Sequence, residues 1–214
     1  MSDPVKGATG QGTRRAAQAR ATRRRIADAA RELFLRHGYA STTLEQIAAA
    51  AGVAVQTVYF HFGNKATVLK EIVDVLSVGD DEPIPMLDRP WVKQVRDEPD
   101  GRRALAIWLA NSRVIFGRVA PIMKIVRDAA GTDAEMAAQW EANQSQRFLA
   151  HHTLARQLAD KRALRPDLST EEAADVIFTL VSFEVYLLFT GVRGWTPDAW
   201  ESWINKIVAA AVLR

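Results

Sequence analysis

The chain has 214 residues and no cysteine. A chain of this length buries a sizeable core without disulfides or a structural metal, and the lack of thiols excludes thiol catalysis, zinc–thiolate sites and an extracellular disulfide framework. Residues 1–25 carry seven basic side chains and one acid, a net +6, so the rest of the chain contributes −3 to the total of +3. A basic end on a mildly acidic body favours a polyanionic partner, and a solvated tail is the alternative.

Targeting and membrane segments are not evident in the sequence. No run approaches ~18 consecutive apolar residues, and the N-terminus lacks the charged-then-apolar pattern of a signal peptide. We therefore expect a soluble, unprocessed, cytoplasmic protein with no membrane partner.

The first helix is predicted to begin near Thr22. Residues 1–21 are rich in Gly, Ser, Thr, Ala and Arg without apolar periodicity, which predicts a disordered basic arm. The following face is apolar at helical spacing and ends at Gly38; its members are Ile26, Ala30, Leu33 and Phe34.

Two short helices and a longer one follow. The stretch STTLEQIAAAAG predicts a helix capped by Thr42 with Glu45 as a capping box and ended by Gly52. VAVQTVYFHF restarts as a second short helix, and Asn64 caps a third that carries Lys65 in its first turn. In the second short helix we expect Val53, Val58 and Phe62 to face inward, Phe60 to be core or partly exposed, and Val55, Gln56, Thr57, Tyr59 and His61 to face outward.

This arrangement matches a helix-turn-helix, and the outward face of its second short helix is unusual for a solvated surface. It offers short polar and aromatic groups suited to base edges and phosphate oxygens. A cation in the first turn of a helix is unfavourable, because the helix dipole is positive there. A bound anion such as phosphate would offset this, so Lys65 favours an anion at the start of the third helix. Packing between helices is the alternative for Tyr59 and His61.

The stretch from Arg24 to Leu76 resembles the DNA-binding domain of the TetR family, and its TVYFHFGNK block is the most specific part of the resemblance. The resemblance implies an operator of palindromic double-stranded DNA, with Val55, Gln56 and Thr57 near bases. It implies phosphate contacts from Thr43, with Thr42 beside it, and from Tyr59, His61 and Lys65. Ala54 stands where the family often has serine, which puts one phosphate bond and one helix cap in doubt. Arg24 and the neighbouring arginines are placed to reach along the duplex or into a minor groove, so binding should depend strongly on salt.

A segment with three prolines, residues 79–90, predicts a boundary between a DNA-binding domain at 22–80 and a second domain at 91–214. Helices are predicted there at 91–98, 101–118, 121–130, 132–162, 169–190 and 196–213. Capping signals are Thr132 with Glu135, Ser169 with Glu172, and Thr196 before a proline. The expected fold is all-α, with an N-terminal three-helix helix-turn-helix domain and a C-terminal helical domain for effector binding and dimerisation.

Aromatic and polar residues on presumed inward faces predict a small-molecule site in the second domain, with ordinary core packing as the alternative. The candidates are Trp108, Asn111, Phe116, Met123, Trp140, Gln144, Phe148, Phe178 and Glu184. Glu184 lies in an apolar helix and needs a partner, which a ligand, Arg113 or Arg147 would supply. Neighbouring His151 and His152 do not face each other on a helix, so we expect no metal site, and no cofactor is indicated.

Function follows from the resemblance and from the apolar helix at 169–190. The family pairs its last two long helices between subunits, which assigns homodimerisation to about 169–213. We expect a repressor that an unidentified small-molecule effector releases from its operator; a co-repressor of opposite sign is the alternative. A helical-bundle enzyme is disfavoured because HExxH, GxSxG and paired ExxH motifs are missing and no catalytic residue is indicated. A sequence-tolerant architectural DNA binder remains the other rival.

Overall fold

The computed structural model describes residues 8–80, 82 and 84–214, with side chains from Arg14 onward. Apart from one isolated bridge between Leu164 and Leu213, regular structure in these residues is helical, which confirms the all-α prediction. The helices are α1 (Ala8–His37), α2 (Leu44–Ala51), α3 (Val55–Phe62), α4 (Lys65–Val78), α5 (Pro90–Asp97), α6 (Gly101–Ala130), α7 (Ala134–Asp160), α8 (Thr170–Leu180), α9 (Phe183–Leu187) and α10 (Pro197–Val212). A 3₁₀ turn, Met86–Asp88, precedes α5, and a π-helical turn, Leu188–Val192, follows α9.

The chain divides into two compact units, residues 1–72 and 73–214. The division therefore falls within α4, and not in the proline-containing segment where the sequence predicted it. Within that segment, the guanidinium of Arg89 donates to both oxygens of Asp80 at 2.7 and 2.9 Å. Its Nε also donates to the carbonyl of Ile84 at 3.1 Å. These bonds tie the segment together, although its prolines suggest a linker.

The core of the first unit is formed by the predicted apolar faces of its helices. Ile26, Ala30 and Phe34 of α1 are fully buried, and α2 packs against both α1 and α3. Gly52 ends α2 in the left-handed region, at φ 63°, and its N–H donates to the carbonyls of the last turn. A side chain would be strained at this φ, so glycine permits the tight turn into α3.

The basic arm differs from expectation, because α1 already begins at Ala8. A disordered arm over residues 1–21 is therefore wrong for residues 8–21, while residues 1–7 lie outside the described residues. The segment is rich in Ala, Arg and Gln, which have high helix propensity, so α1 extends without an apolar face.

The second unit is organised around α6, which packs against α5, α7, α9 and α10. The sequence predicted two helices here, at 101–118 and 121–130, but α6 continues through Pro121. A proline removes one helical hydrogen bond and crowds the carbonyl four residues earlier, at Gly117. Buried residues on either side of Pro121, among them Val119 and Ile122, keep the two halves packed on one core.

The predicted helix at 169–190 is interrupted at Val181 and Ser182. Val181 leaves the helical region, at φ −93° and ψ 70°, and the Ser182 hydroxyl caps α9 by accepting from the Val185 N–H at 3.2 Å. The interruption frees the Phe178 carbonyl, which a continuous helix would pair with residue 182. Arg147 replaces that bond, since its Nη1 donates to the carbonyls of Phe178 and Val181 at 2.7 and 3.2 Å.

Among the residues that the structure describes, one helical stretch, Thr170–Val192, is long and apolar enough to cross a membrane by length and composition alone, although acidic residues interrupt its apolar run. Core helices of soluble proteins reach the same length and composition. Here the stretch is broken at Ser182, and Ile177, Phe183 and Tyr186 are buried against the rest of the second unit.

Two predicted caps are displaced by one residue, whereas the caps at Asn64, Ser169 and Thr196 are confirmed. The capping box of α2 pairs Thr43 with Gln46, not Thr42 with Glu45. The cap of α7 is Asp133, whose carboxylate accepts from the Met136 N–H at 3.0 Å, not Thr132. Both shifts follow from adjacent residues that are equally able to cap.

Candidate nucleic-acid interface and effector site

The second short helix, α3, divides cleanly into a buried and an exposed side. Val58 is fully buried and Phe62 is 5% exposed, so these two anchor the helix to the first unit. Gln56 is exposed and the Tyr59 side chain is half exposed, on the side away from this anchor. The remaining predicted contact residues of α3, namely Val55, Thr57 and His61, are partly exposed.

Phe60 is 85% exposed, so the expectation of core or partial burial is wrong. The T-shaped contact with the His61 ring, centroids 5.3 Å apart, covers only one edge of the phenyl ring. Ala54, at the N-cap of α3, makes no side-chain cap, as its missing hydroxyl implied.

Thr42 does not belong to an exposed contact surface. Its side chain is 1% exposed, and its hydroxyl donates to the carbonyl of Gly38 at 2.8 Å. The prediction that the Thr42 side chain belongs to the DNA-binding residues is therefore wrong, because its hydroxyl is hydrogen-bonded within the connection between α1 and α2. Thr43 is exposed and caps α2, and Arg24 is exposed on α1.

Lys65 has partners other than the predicted phosphate. Its Nζ donates to the carbonyls of Tyr39 and Thr42, at 2.7 and 2.9 Å, and lies 4.2 Å from the centroid of the Tyr39 ring. These carbonyls explain a cation at the N-terminus of α4 without an anion. Lys65 therefore stabilises the connection between α1 and α2, which positions the start of the helix-turn-helix.

Arg23, which the sequence groups with the arginines that could reach along DNA, makes its contacts within the first unit instead. Its guanidinium donates to both carboxylate oxygens of Glu71, at 2.8 and 2.9 Å, and to the backbone carbonyl of His61 at 2.6 Å. It also lies 4.3 Å from the centroid of the Phe62 ring, and the hydrogen bond with Glu71 raises the pKa of Arg23. Arg23 thus joins α1, the last turn of α3 and α4, through partners too distant in sequence to show a local pattern.

The predicted effector residues of the second unit fall into three aromatic groups. Trp108, Phe148 and Phe178 belong to one group, which is completed by His151: the His151 ring lies 6.1 Å from Trp108 and 6.2 Å from Phe178. Trp140 contacts Phe183 at 5.7 Å in a second group.

The third group lies between α6, α9 and α10, where Phe116 meets Tyr186 and Trp200 at 5.8 Å each. Two further predicted residues show ordinary packing. Met123 is buried, and the Asn111 amide donates to the carbonyl of Ile107 on its own helix at 2.8 Å. Both therefore lack an unsatisfied polar group that would indicate a ligand.

Arg147 lies at the centre of the first group. Its guanidinium stacks on Phe178, 3.8 Å from the ring centroid, and its Nε donates to the side-chain oxygen of Gln144 at 3.2 Å. Burial lowers the pKa of Arg147, and the charge of Glu184 opposes that shift. Oε2 of Glu184 is buried and has no hydrogen-bond partner among the described residues. We call Arg147, Gln144, Phe178 and Glu184, with His151, the Arg147 cluster.

His151 is the buried ionisable group of this cluster. It is 4% exposed, its Nδ1 has no hydrogen-bond partner among the described residues, and burial, followed by the charge of Arg147, lowers its pKa to about 3. The imidazole is therefore neutral at neutral pH. No group of three or more metal-ligating side chains occurs in the part of the chain that the structure describes.

Two short helices joined by a glycine turn, packed on a longer helix and exposing one face of the second, define a helix-turn-helix DNA-binding protein. Residues 26–72 match the family model for bacterial regulatory proteins of the tetR family. Over 168 residues, 77% of this chain and 78% of the relative, the sequence is 32% identical to the HTH-type transcriptional regulator TtgR of Pseudomonas putida. The chain belongs to the TetR family of DNA-binding transcriptional regulators.

Two further similarities extend over most of the chain. The HTH-type transcriptional regulator AcrR of Shigella flexneri is 27% identical over 191 residues, 87% of this chain and 80% of AcrR. The chain also superposes on the crystal structure of NalD, the secondary repressor of the MexAB-OprM multidrug efflux pump in Pseudomonas aeruginosa. The TM-score is 0.69 and the two sequences are 25% identical. That match covers 91% of this chain and 98% of NalD, so the likeness includes both units.

Proposed function

We propose that the chain is a cytoplasmic, non-enzymatic repressor that binds a palindromic operator as a homodimer and releases it when a small molecule occupies the second unit. The observation that carries this proposal is the division of α3, because its outward side holds no part of the core. Gln56 presents an amide that can pair with adenine in the major groove. Thr43, Tyr59 and Arg24 are exposed and chemically suited to phosphate.

Homodimerisation is supported by apolar side chains that the single chain leaves uncovered near its C-terminal end. Leu188 is 57% exposed, Val192 72% and Ile207 38%. A second copy would cover them, and its two-fold symmetry would place two α3 helices against half-sites ~34–36 Å apart. The operator of such a dimer is palindromic, because its two half-sites must share the two-fold symmetry of the protein.

Effector binding is supported by the Arg147 cluster. It combines aromatic faces with a buried carboxylate oxygen that has no hydrogen-bond partner among the described residues, and an unpaired buried polar group is unfavourable. An aromatic molecule with a hydrogen-bond donor would stack in this region and satisfy Glu184. Arg147 donates to the carbonyls of Phe178 and Val181 beside the break between α8 and α9, so a ligand that shifts Arg147 would release the backbone there.

The DNA-binding proposal is tested by selecting bound fragments from the genome of the source organism. We expect one palindromic fragment to be enriched and its affinity to fall steeply with salt, since several phosphates are contacted. Equal binding to all fragments would contradict operator recognition and leave a sequence-tolerant DNA binder.

The effector proposal is tested with a panel of planar aromatic amines, using tryptophan fluorescence for binding and the selected fragment for release. We expect Glu184→Gln to weaken the binding of the best amine, while Glu141→Gln, exposed on α7, leaves it unchanged. An amine that tightens DNA binding would overturn release and establish a co-repressor. If the two variants bind the best amine equally well, Glu184 does not contact the effector.

A further inference from the structure

Phe60 is the most exposed of the large apolar side chains in the described residues, and it lies on the proposed DNA-reading helix. At 100° per residue it points almost directly away from the buried side formed by Val58 and Phe62. It therefore contributes nothing to the core of the first unit. A single exposed ring is not unusual on a protein surface, but its place on the outward face of the proposed reading helix makes it available to an apolar group of the DNA.

The chemistry of the side chain limits what that partner can be. A phenyl ring has no hydrogen-bond donor, so Phe60 cannot bind phosphate or a polar base edge as Gln56 and Tyr59 can. In the major groove of DNA, the apolar group on a base edge is the 5-methyl of thymine. The sugar rings of the backbone are the other apolar surface within reach.

Position along α3 favours the base over the sugar. Phe60 shares the outward face with Gln56 and lies one turn further along, about 6 Å by the helical rise. On the basis of the proposed entry of α3 into the major groove, we infer that Phe60 reads thymine through its 5-methyl group, in the same half-site as the base pair that Gln56 contacts.

The test replaces each thymine of the selected fragment, one at a time, by deoxyuridine, which pairs in the same way and lacks only the methyl group. We expect one position in each half-site to weaken binding of the unaltered protein about fourfold, and the symmetric pair about fourteenfold, as about 0.8 kcal/mol per buried methyl implies. Phe60→Ala should bind the thymine duplex more weakly and show no further loss with deoxyuridine at that position. Gln56→Ala, the matched control on the same face, should keep the deoxyuridine effect.

The outcomes separate this inference from the proposed function. If a fragment is selected but no deoxyuridine effect disappears in Phe60→Ala, thymine reading is refuted while the repressor proposal stands. An equal loss by Phe60→Ala on every duplex assigns the ring to the sugar backbone and also refutes it. If no fragment is preferred, both proposals fail. Thermal unfolding of Phe60→Ala should match the unaltered protein because the ring is exposed.

Discussion

Replacing Arg23 by alanine removes the contacts that join three helices of the first unit. The lost interactions are the paired hydrogen bonds to Glu71, the bond to the His61 carbonyl and the cation over Phe62. The Arg23 and Glu71 side chains are 35% and 29% exposed, so solvent weakens their ion pair. We assign about 1 kcal/mol to the pair, about 1 kcal/mol to the carbonyl bond and about 0.5 kcal/mol to the ring, a loss of about 2.5 kcal/mol.

The assay is urea unfolding of the full chain followed by far-UV circular dichroism, together with affinity for the selected fragment. Arg25→Ala is the matched control, because Arg25 is exposed on the same helix. We expect Arg23→Ala, and not Arg25→Ala, to shift the transition of the first unit. Arg23→Ala should also weaken DNA binding, because the His61 carbonyl that loses its partner lies in the last turn of the helix that carries Gln56. If the two alanine variants unfold within about 0.5 kcal/mol of each other, the guanidinium does not hold α3 and the reasoning is refuted.

Three further predictions concern acid sensitivity, backbone strain and capping. Because the pKa of His151 in the folded protein is about 3, below its ordinary 6.5, the unfolded chain binds the extra proton between these values. Stability should therefore fall with decreasing pH below 6.5, by up to about 1.4 kcal/mol per unit, and His151→Phe should flatten this dependence in unfolding curves measured across that range. Gly79→Ala should lower stability by about 1–2 kcal/mol in thermal unfolding, because φ is +94°, a conformation that side chains rarely adopt, while the guanidinium end of Arg118 near the new Cβ can move aside. Gly131→Ala should not lower stability, because Gly131 has φ −71° and open space around the new Cβ. Equal losses of stability in the two variants would contradict the strain argument. Thr43→Ala should cost the first unit about 1 kcal/mol in urea unfolding through loss of the α2 cap, whereas serine should preserve it.

The helical class and the helix-turn-helix were predictable because they depend on local patterns. The apolar spacing from Ile26 to Phe34 and the caps at Asn64 and Ser169 act within a few residues of the chain. Predicted helix boundaries were wrong where tertiary contacts override the local preference of the sequence. Pro121 ends a helix in isolation, but α6 continues through it because both halves share one core.

The site residues show the same division. Gln56 and Tyr59 were predicted to face outward from the periodicity of α3, and they do. The carbonyls that Lys65 contacts lie more than 20 residues earlier in the chain, so local sequence could not reveal them. The sequence suggested phosphate as its partner instead. The sequence suggested Arg147 only as a partner for Glu184, and its bonds to the carbonyls of Phe178 and Val181, beside the break at Ser182, show no local sequence pattern.

The two sides of α3 also bear on how such a regulator acquires a new target. The residues that hold the helix in place, Val58, Phe62 and the Arg23 contacts at its end, are distinct from Gln56 and Phe60, which project away from the core. Exchanging the outward pair should change the preferred DNA sequence at little cost to folding. Under the proposed reading of DNA by this pair, target choice can be re-engineered at two positions while the scaffold beneath them is retained.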